Sequence, residues 1–294
     1  MNPLFRIAQI VVLFLSTSAS AETLSELLAK GSGGKYVEPR KEEIAIAEKV
    51  FHEVFSPTRS LPRISALGAE IGFEVLSVHG ASEEFLFLRE VDSDRRGRGM
   101  YVFRTRPTSQ LVVEAPHASD DLHTGLLAEL LFRETGAVAA AWNTVGRDEL
   151  VEGTREQADL AHLPESVFVA FTRAFAAAYP GGILLQLHGF ARSQRKSEAG
   201  ARSDAILSNG TRSPPRWLSS TAERFQAKYG GKFLVYPRDV KELGATTNSQ
   251  MKALREVGHT GFLHLEMCLE LRQRLKANEE TRRVFWSCLP DKRP

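Results

Sequence analysis

The stretch ILLQLHGF, residues 183–190, is a nearly continuous apolar run of strand length. Runs of this kind form strands buried on both faces, which requires helices above and below the sheet. The flanking segments supply them. Before it, helical spacing runs from Pro164 to Ala178, with Pro164 suited to the first turn and Phe168, Phe171 and Phe175 lining one face; Pro180-Gly181-Gly182 ends that helix. After it, WLSSTAERFQAKYGG, KFLVYP, SQMKALREVG, GFLHLEM and LELRQRLKAN alternate between helix and strand patterns. An earlier helix is expected at about 124–134, where Leu126, Leu127, Leu130 and Leu131 share a stripe. This alternation predicts an α/β domain, a three-layer α/β/α arrangement around a mixed, mostly parallel sheet. Residues 191–215, rich in Ser, Gly and Arg, read as one large loop.

Upstream the pattern differs. LSELLAK stops at GSGG, and KEEIAIAEKVFHEVF has helical spacing, so residues 22–60 read as helix, loop, helix. From Ile71 to Glu114, β-branched and aromatic residues between turn breaks predict the strands GFEVLSVHG, EFLFLRE, MYVFRT and QLVVEAP. The expected organisation is a smaller helix-and-strand N-terminal lobe over 22–97, ahead of the main domain at 98–294. Residues 1–21 carry one positive side chain, Arg6, then an apolar run from Ile7 to Leu15, then Ala19-Ser20-Ala21. That is the layout of a secretory signal peptide. The run is too short to span a bilayer comfortably. The expectation is a periplasmic or secreted chain starting near Glu22, with no stable membrane insertion. In an oxidising compartment Cys268 and Cys288 either pair, closing a short loop worth about 3 kcal/mol by chain entropy, or Cys268 stays a buried thiol.

A formal net charge of +2 with scattered basic residues does not describe a nucleic-acid binder. The one basic cluster, RRGRG at 95–99, reads as a mobile loop. The chemistry lies at strand ends, where open α/β sheets bind ligands. Three reactive groups fall there: His117 after LVVEAP, His188 ending ILLQL, and Glu266 ending FLHL. A hydrolytic zinc needs three protein ligands and one open position, with a nearby carboxylate to take a proton. His117, an aspartate of the following turn and His188 form such a ligand set, with Glu266 as the base. Asp120 and Asp121 are both within reach of the turn, and the one that does not ligate is free to cap the next helix. His123 is a lesser candidate. His264 shares a strand face with Glu266 and Cys268, and is either a neighbour of the metal or a ligand itself.

Taken in order, VVEAPHASDDLHT, ADLAHLPESVFVAFTRAF, ILLQLHGF, LGATTNSQ and GFLHLEMCLELRQRL resemble one family. It is that of the zinc-dependent N-formylglutamate amidohydrolase and poly-γ-glutamate hydrolase-like proteins, distant relatives of the zinc carboxypeptidases. The likeness runs over roughly Arg98 to Ala277. It implies an α/β/α fold and hydrolysis of an amide or peptide-like bond by zinc-activated water. His117 in the PH motif matches the first ligand histidine and His188 the second. Asp121 matches the acidic ligand because Thr124 follows three residues later, and Glu266 matches the catalytic glutamate. In the carboxypeptidases the acidic ligand is more typically Glu at a different spacing, so an Asp ligand here needs a closer backbone. The resemblance thus implies a zinc amidohydrolase or carboxypeptidase-like hydrolase, and the signal-like segment an extracytoplasmic one. Its cofactor would be Zn2+, and its substrate small or peptide-like with a carboxylate. The resemblance implies a cation to hold that carboxylate; Arg147 and Arg192 are the candidates, and Arg272 is a third. Two other readings stand beside it. A serine-dependent α/β-hydrolase needs a G-x-S-x-G elbow, and none occurs. A secreted binding protein with a degenerate metal site would keep the fold and use loop 191–215 as its binding edge.

Overall fold

The computed structural model describes residues 23–79 and 83–290, so the signal segment expected at 1–21 lies outside the described residues. Its strands are β1 (Phe73–His79), β2 (Glu84–Glu90), β3 (Met100–Arg104), β4 (Leu111–Ala115), β5 (Ala139–Trp142), β6 (Ile183–Phe190), β7 (Ala205–Ser208), β8 (Phe233–Val235) and β9 (Phe262–Cys268). They form one sheet in the order β1-β2-β3-β5-β4-β6-β9-β7-β8. The centre, β5-β4-β6-β9, is parallel; β1, β2 and β3 extend it antiparallel on one side, and β7 pairs antiparallel with β9 on the other. The fold is therefore α/β with a mixed sheet between helical layers. The N-terminal helix-and-strand region precedes the main strands, and its β1 and β2 continue the same sheet.

Side-chain alternation along the central strands builds two cores. Val113, Ala115, Leu185, Leu187, Leu263 and Leu265 face the helices Thr124–Glu134, Arg216–Arg224 and Leu269–Ala277. Val112, Leu184 and Phe262 face the helices Lys41–Phe55, Val167–Ala178 and Ser249–Glu256. Phe51, Phe55, Phe171 and Phe175 interlock on this second face. No helix among the described residues is long and apolar enough to cross a membrane.

Three local expectations differ from what is observed. The helix expected from Pro164 begins at Val167, because the Ser166 hydroxyl accepts the Val169 N–H and caps it. The 191–215 stretch is not one loop. It contains the helix Glu198–Ala201 and the strand β7, which is four residues long and set among polar neighbours that hide its pattern. The RRGRG segment is not mobile but an ion-pair knot. Gly97 takes φ +71°, and a Cβ there would meet Val145 and the Lys35 carbonyl, so the chain turns back tightly. Arg98 is thereby buried, and its two terminal nitrogens each lie 3.1 Å from Glu43.

Burial opposes ionisation of Glu43, but its bonds to Arg98 and to the Arg40 backbone outweigh that and hold its pKa at about 2. A carboxyl lowered in the folded state stabilises fully above its ordinary value of 4.5, and that contribution is lost as pH falls through about 2. Replacing Glu43 by Ala is expected to cost about 3–5 kcal/mol at neutral pH, because it leaves Arg98 buried and unpaired. Urea unfolding at pH 7 checks the loss, and repeating it at pH 3 should show a smaller gap between variant and parent.

Candidate metal centre

The polar site grows out of the apolar core rung by rung. On the face of the sheet toward Val167–Ala178, the in-register residues Val112, Leu184 and Phe262 form an apolar rung. Two residues on, Glu114, Gln186 and His264 form a second rung, all buried. Two further on, His188 pairs with Glu266 in a third. β4 has ended by then, and His117 enters beside them from the turn that follows it. Asp121 N–H bonds the His117 carbonyl at 2.9 Å, and the Thr124 hydroxyl bonds the Asp121 carbonyl at 2.7 Å. This turn delivers His117 and Asp121 to the same point. The helix after it is led by His123 in a left-handed conformation, φ +76°, and no side chain caps it, so neither aspartate serves as its cap.

His117, Asp121 and His188 converge there. His117 Nδ1 lies 3.3 Å from Asp121 Oδ2 and 3.1 Å from His188 Nδ1; His188 Nδ1 lies 3.5 Å from Asp121 Oδ2. Ligands of a tetrahedral zinc at about 2.0–2.2 Å stand about 3.3–3.5 Å from one another. Two imidazoles and a carboxylate at these spacings fit such an ion in both chemistry and size. A second group, His188, His264 and Glu266, adjoins the first. In it Glu266 Oε2 and His264 Nδ1 are buried with no hydrogen-bond partner among the described residues.

The electrostatics match a centre built for positive charge. Burial disfavours a charged His117, yet bonds to Asp121 and to Asp159 at 2.9 Å outweigh it and push the imidazole up to about 9. Burial also opposes the Asp121 charge, but the two histidines hold it below the usual carboxylate range; the Gly189 N–H also donates to it, at 3.0 Å. Burial, reinforced by His117, pushes His188 down to about 4. Burial, with the Asp121 charge next, pushes Glu266 up to about 8.

These groups line a cavity of about 350 Å³, within the ordinary size of a small-molecule site. Arg147 stands at its rim, half exposed and 3.9 Å from Asp121. Asp120 is turned outward, accepting the Arg147 N–H at 3.1 Å. Arg192 is not in the cavity: it is taken by Asp204, Glu270 and the Ala201 carbonyl. Arg195 lines the wall instead, over the Phe190 ring and 3.5 Å from Glu242. A short 3-10 turn separates the two arginines and gives them different partners, which spacing from His188 could not reveal. Arg272 is buried under Gly189, where it bonds the Leu122 and Phe190 carbonyls and ties the turn after β4 to the end of β6. Cys268 and Cys288 are both buried and free; Cys288 faces the Arg224 and Val284 carbonyls. Sequence reasoning missed Glu114, Gln186 and Asp159. For the first two a signal existed, a polar residue inside an apolar strand, three places before His117 and two before His188; for Asp159, in an irregular segment, there was none.

No protein-family model matches this chain, and no curated protein matches it. Among solved structures it is similar to an N-formylglutamate amidohydrolase from Ralstonia eutropha JMP134, at 15% identity and TM-score 0.44, over 65% of this chain and 95% of that one. It is also similar to two proteins each described as a "putative metallopeptidase". The one from Shewanella denitrificans OS217 is 10% identical with TM-score 0.31, over 86% of this chain and 95% of that one. The one from Shewanella amazonensis SB2B is 11% identical with TM-score 0.32, over 88% and 100%. Likenesses this distant identify neither a metal nor a substrate for this chain.

Proposed function

We propose that the chain is an extracytoplasmic zinc-dependent hydrolase that cleaves an amide or peptide-like bond in a small substrate bearing a carboxylate. The observation that carries this reading is the convergence of His117 Nδ1, Asp121 Oδ2 and His188 Nδ1 at ligand spacing, beside a Glu266 carboxylate whose Oε2 has no hydrogen-bond partner among the described residues, in one cavity. His117, Asp121 and His188 would hold the ion. When bound, zinc supplies Lewis acidity, polarising a carbonyl and making water more acidic. Glu266 then acts as general base. It takes a proton from the attacking water as the C–O bond forms, and returns it to the leaving nitrogen as the C–N bond breaks. A carboxyl raised toward neutrality suits both transfers, since it binds the proton and still releases it. The assignment to an extracytoplasmic compartment rests on the signal-like segment at 1–21.

Among the described residues Arg147 and Arg195 are the arginines that line the cavity, and Arg195 is the better anchor because Phe190 and Glu242 hold its guanidinium in place. Replacing Arg195 by Ala is expected to raise KM for a carboxylate-bearing amide about ten- to a hundredfold with kcat little changed. Arg192→Ala should leave KM unchanged and lower the unfolding midpoint instead. Elemental analysis and a panel of N-acylated amino acids and γ-linked peptides test the whole reading. About one zinc per chain with amide turnover supports it. A folded chain that binds no zinc and turns over none of the panel overturns it.

A further inference from the structure

The rung between the apolar core and the candidate ligands is a closed network of buried polar side chains. Glu114, Thr172, Gln186, Asn248 and Gln250 are all buried. The direction of every amide in it is set from outside. Asn248 Oδ1 accepts the Met251 N–H at 2.9 Å, so its Nδ2 is the atom that faces Gln186, at 2.8 Å. Gln250 Nε2 donates to the Leu160 carbonyl at 2.8 Å, so its Oε1 faces Gln186, at 3.0 Å. Between a fixed donor and a fixed acceptor, Gln186 has one orientation that satisfies both: Oε1 toward Asn248 and Nε2 toward Gln250. In that orientation Nε2 also donates to Glu114 Oε2 at 2.7 Å. The atom left beside His188 Nε2, at 3.3 Å, is therefore the carbonyl oxygen Oε1. An amide oxygen only accepts, so the ring nitrogen facing it must carry the hydrogen.

We propose that Gln186 is a positioning residue that holds neutral His188 in its Nε2–H form, leaving Nδ1 as the single lone pair His188 offers, aimed at His117 and Asp121. The inference rests on the metal-centre reading for its purpose but not for its geometry. It also decides between the two adjoining groups of candidate ligands. His188 has one nitrogen to give, so the groups that share it hold one ion and not two. Glu114 closes the network. Its Oε1 lies 3.1 Å from the Thr172 hydroxyl, which can donate to the Phe168 carbonyl, also at 3.1 Å. A neutral carboxyl donating to Thr172 completes every bond, and burial, which pushes Glu114 up to about 8, favours that form. Fixing the tautomer of a ligand histidine from its far nitrogen is a general device of metal sites.

The test reads the tautomer without any metal. Long-range 1H–15N spectra of the metal-free, 15N-histidine-labelled protein at neutral pH should show His188, assigned by the signals lost in His188→Gln, with a protonated Nε2 and an unprotonated Nδ1. In Gln186→Met the two nitrogens should shift toward a mixture of tautomers, and zinc affinity should fall about 10–100-fold by competition titration. Glu114→Gln can mimic a neutral carboxyl and should restore the parent pattern and affinity. Asn248→Ala, which frees the Gln186 amide to turn, gives the same readout where Gln186→Met does not fold. A protonated Nδ1 in the parent, or an unaltered tautomer in folded Gln186→Met, overturns the inference. A parent with the expected tautomer and no zinc binding sustains it while overturning the metal-centre reading.

Discussion

Glu266→Gln is expected to bind zinc like the parent and to lose amide hydrolysis by about a thousandfold, the middle of the usual range for removing a general base. Gln keeps the shape of the side chain but cannot take a proton from water. The substitution should not unfold the protein. Glu266 Oε2 has no hydrogen-bond partner among the described residues, so no bond to that atom is lost. Burial also makes its charge unfavourable, as its rise to about 8 records, and a neutral amide avoids that cost. Three measurements belong together: kcat on an active amide, zinc content, and the thermal midpoint. Turnover retained in the variant removes Glu266 from the base role. Zinc lost along with turnover would instead move Glu266 into the ligand set, where its neighbours His188 and His264 make it eligible.

The second large effect separates the two aspartates. Asp121→Asn is expected to weaken zinc binding by at least about a hundredfold, while Asp120→Asn leaves it unchanged. Asp121 Oδ2 is buried and faces both imidazoles, whereas Asp120 bonds Ser119 and the Arg147 backbone at the surface. In the parent, zinc must also displace the proton that His117 holds below about pH 9. A raised imidazole pKa means the metal-free site is protonated at neutral pH, so lower pH favours the proton over the ion. The apparent zinc affinity should therefore fall about tenfold per unit as pH drops from 9 toward 7, and level off above 9. Isothermal titration at several pH values checks the slope. A flat profile would mean that His117 Nδ1 is not where the ion binds.

Much of this architecture was legible in one dimension. Helix and strand periods are local properties, and a run such as ILLQLHGF can be covered only by helices on both sides. Once the alternation is read, His117, His188 and Glu266 fall at strand ends by counting alone. Less was legible where the pattern was short or weak. β5 is AAAW, and alanine has little preference for strands, so its place between β3 and β4 was invisible. The register of β4, β6 and β9 was also out of reach, and it is what lines up Glu114, Gln186 and His264.

The sequence by itself determined the class of fold and the strands that carry the reactive groups. Only the tertiary structure decided which of two adjacent aspartates turns inward, and that Arg195 rather than Arg192 faces the cavity. It alone disclosed that a buried glutamine stands behind His188. The physical reason is the same in each case. Periodicity is set by backbone geometry within a few residues, but the direction of a side chain in a turn is set by partners far along the chain. For Asp121 those partners are His188 and the Gly189 N–H, and for Arg192 they are Asp204 and Glu270.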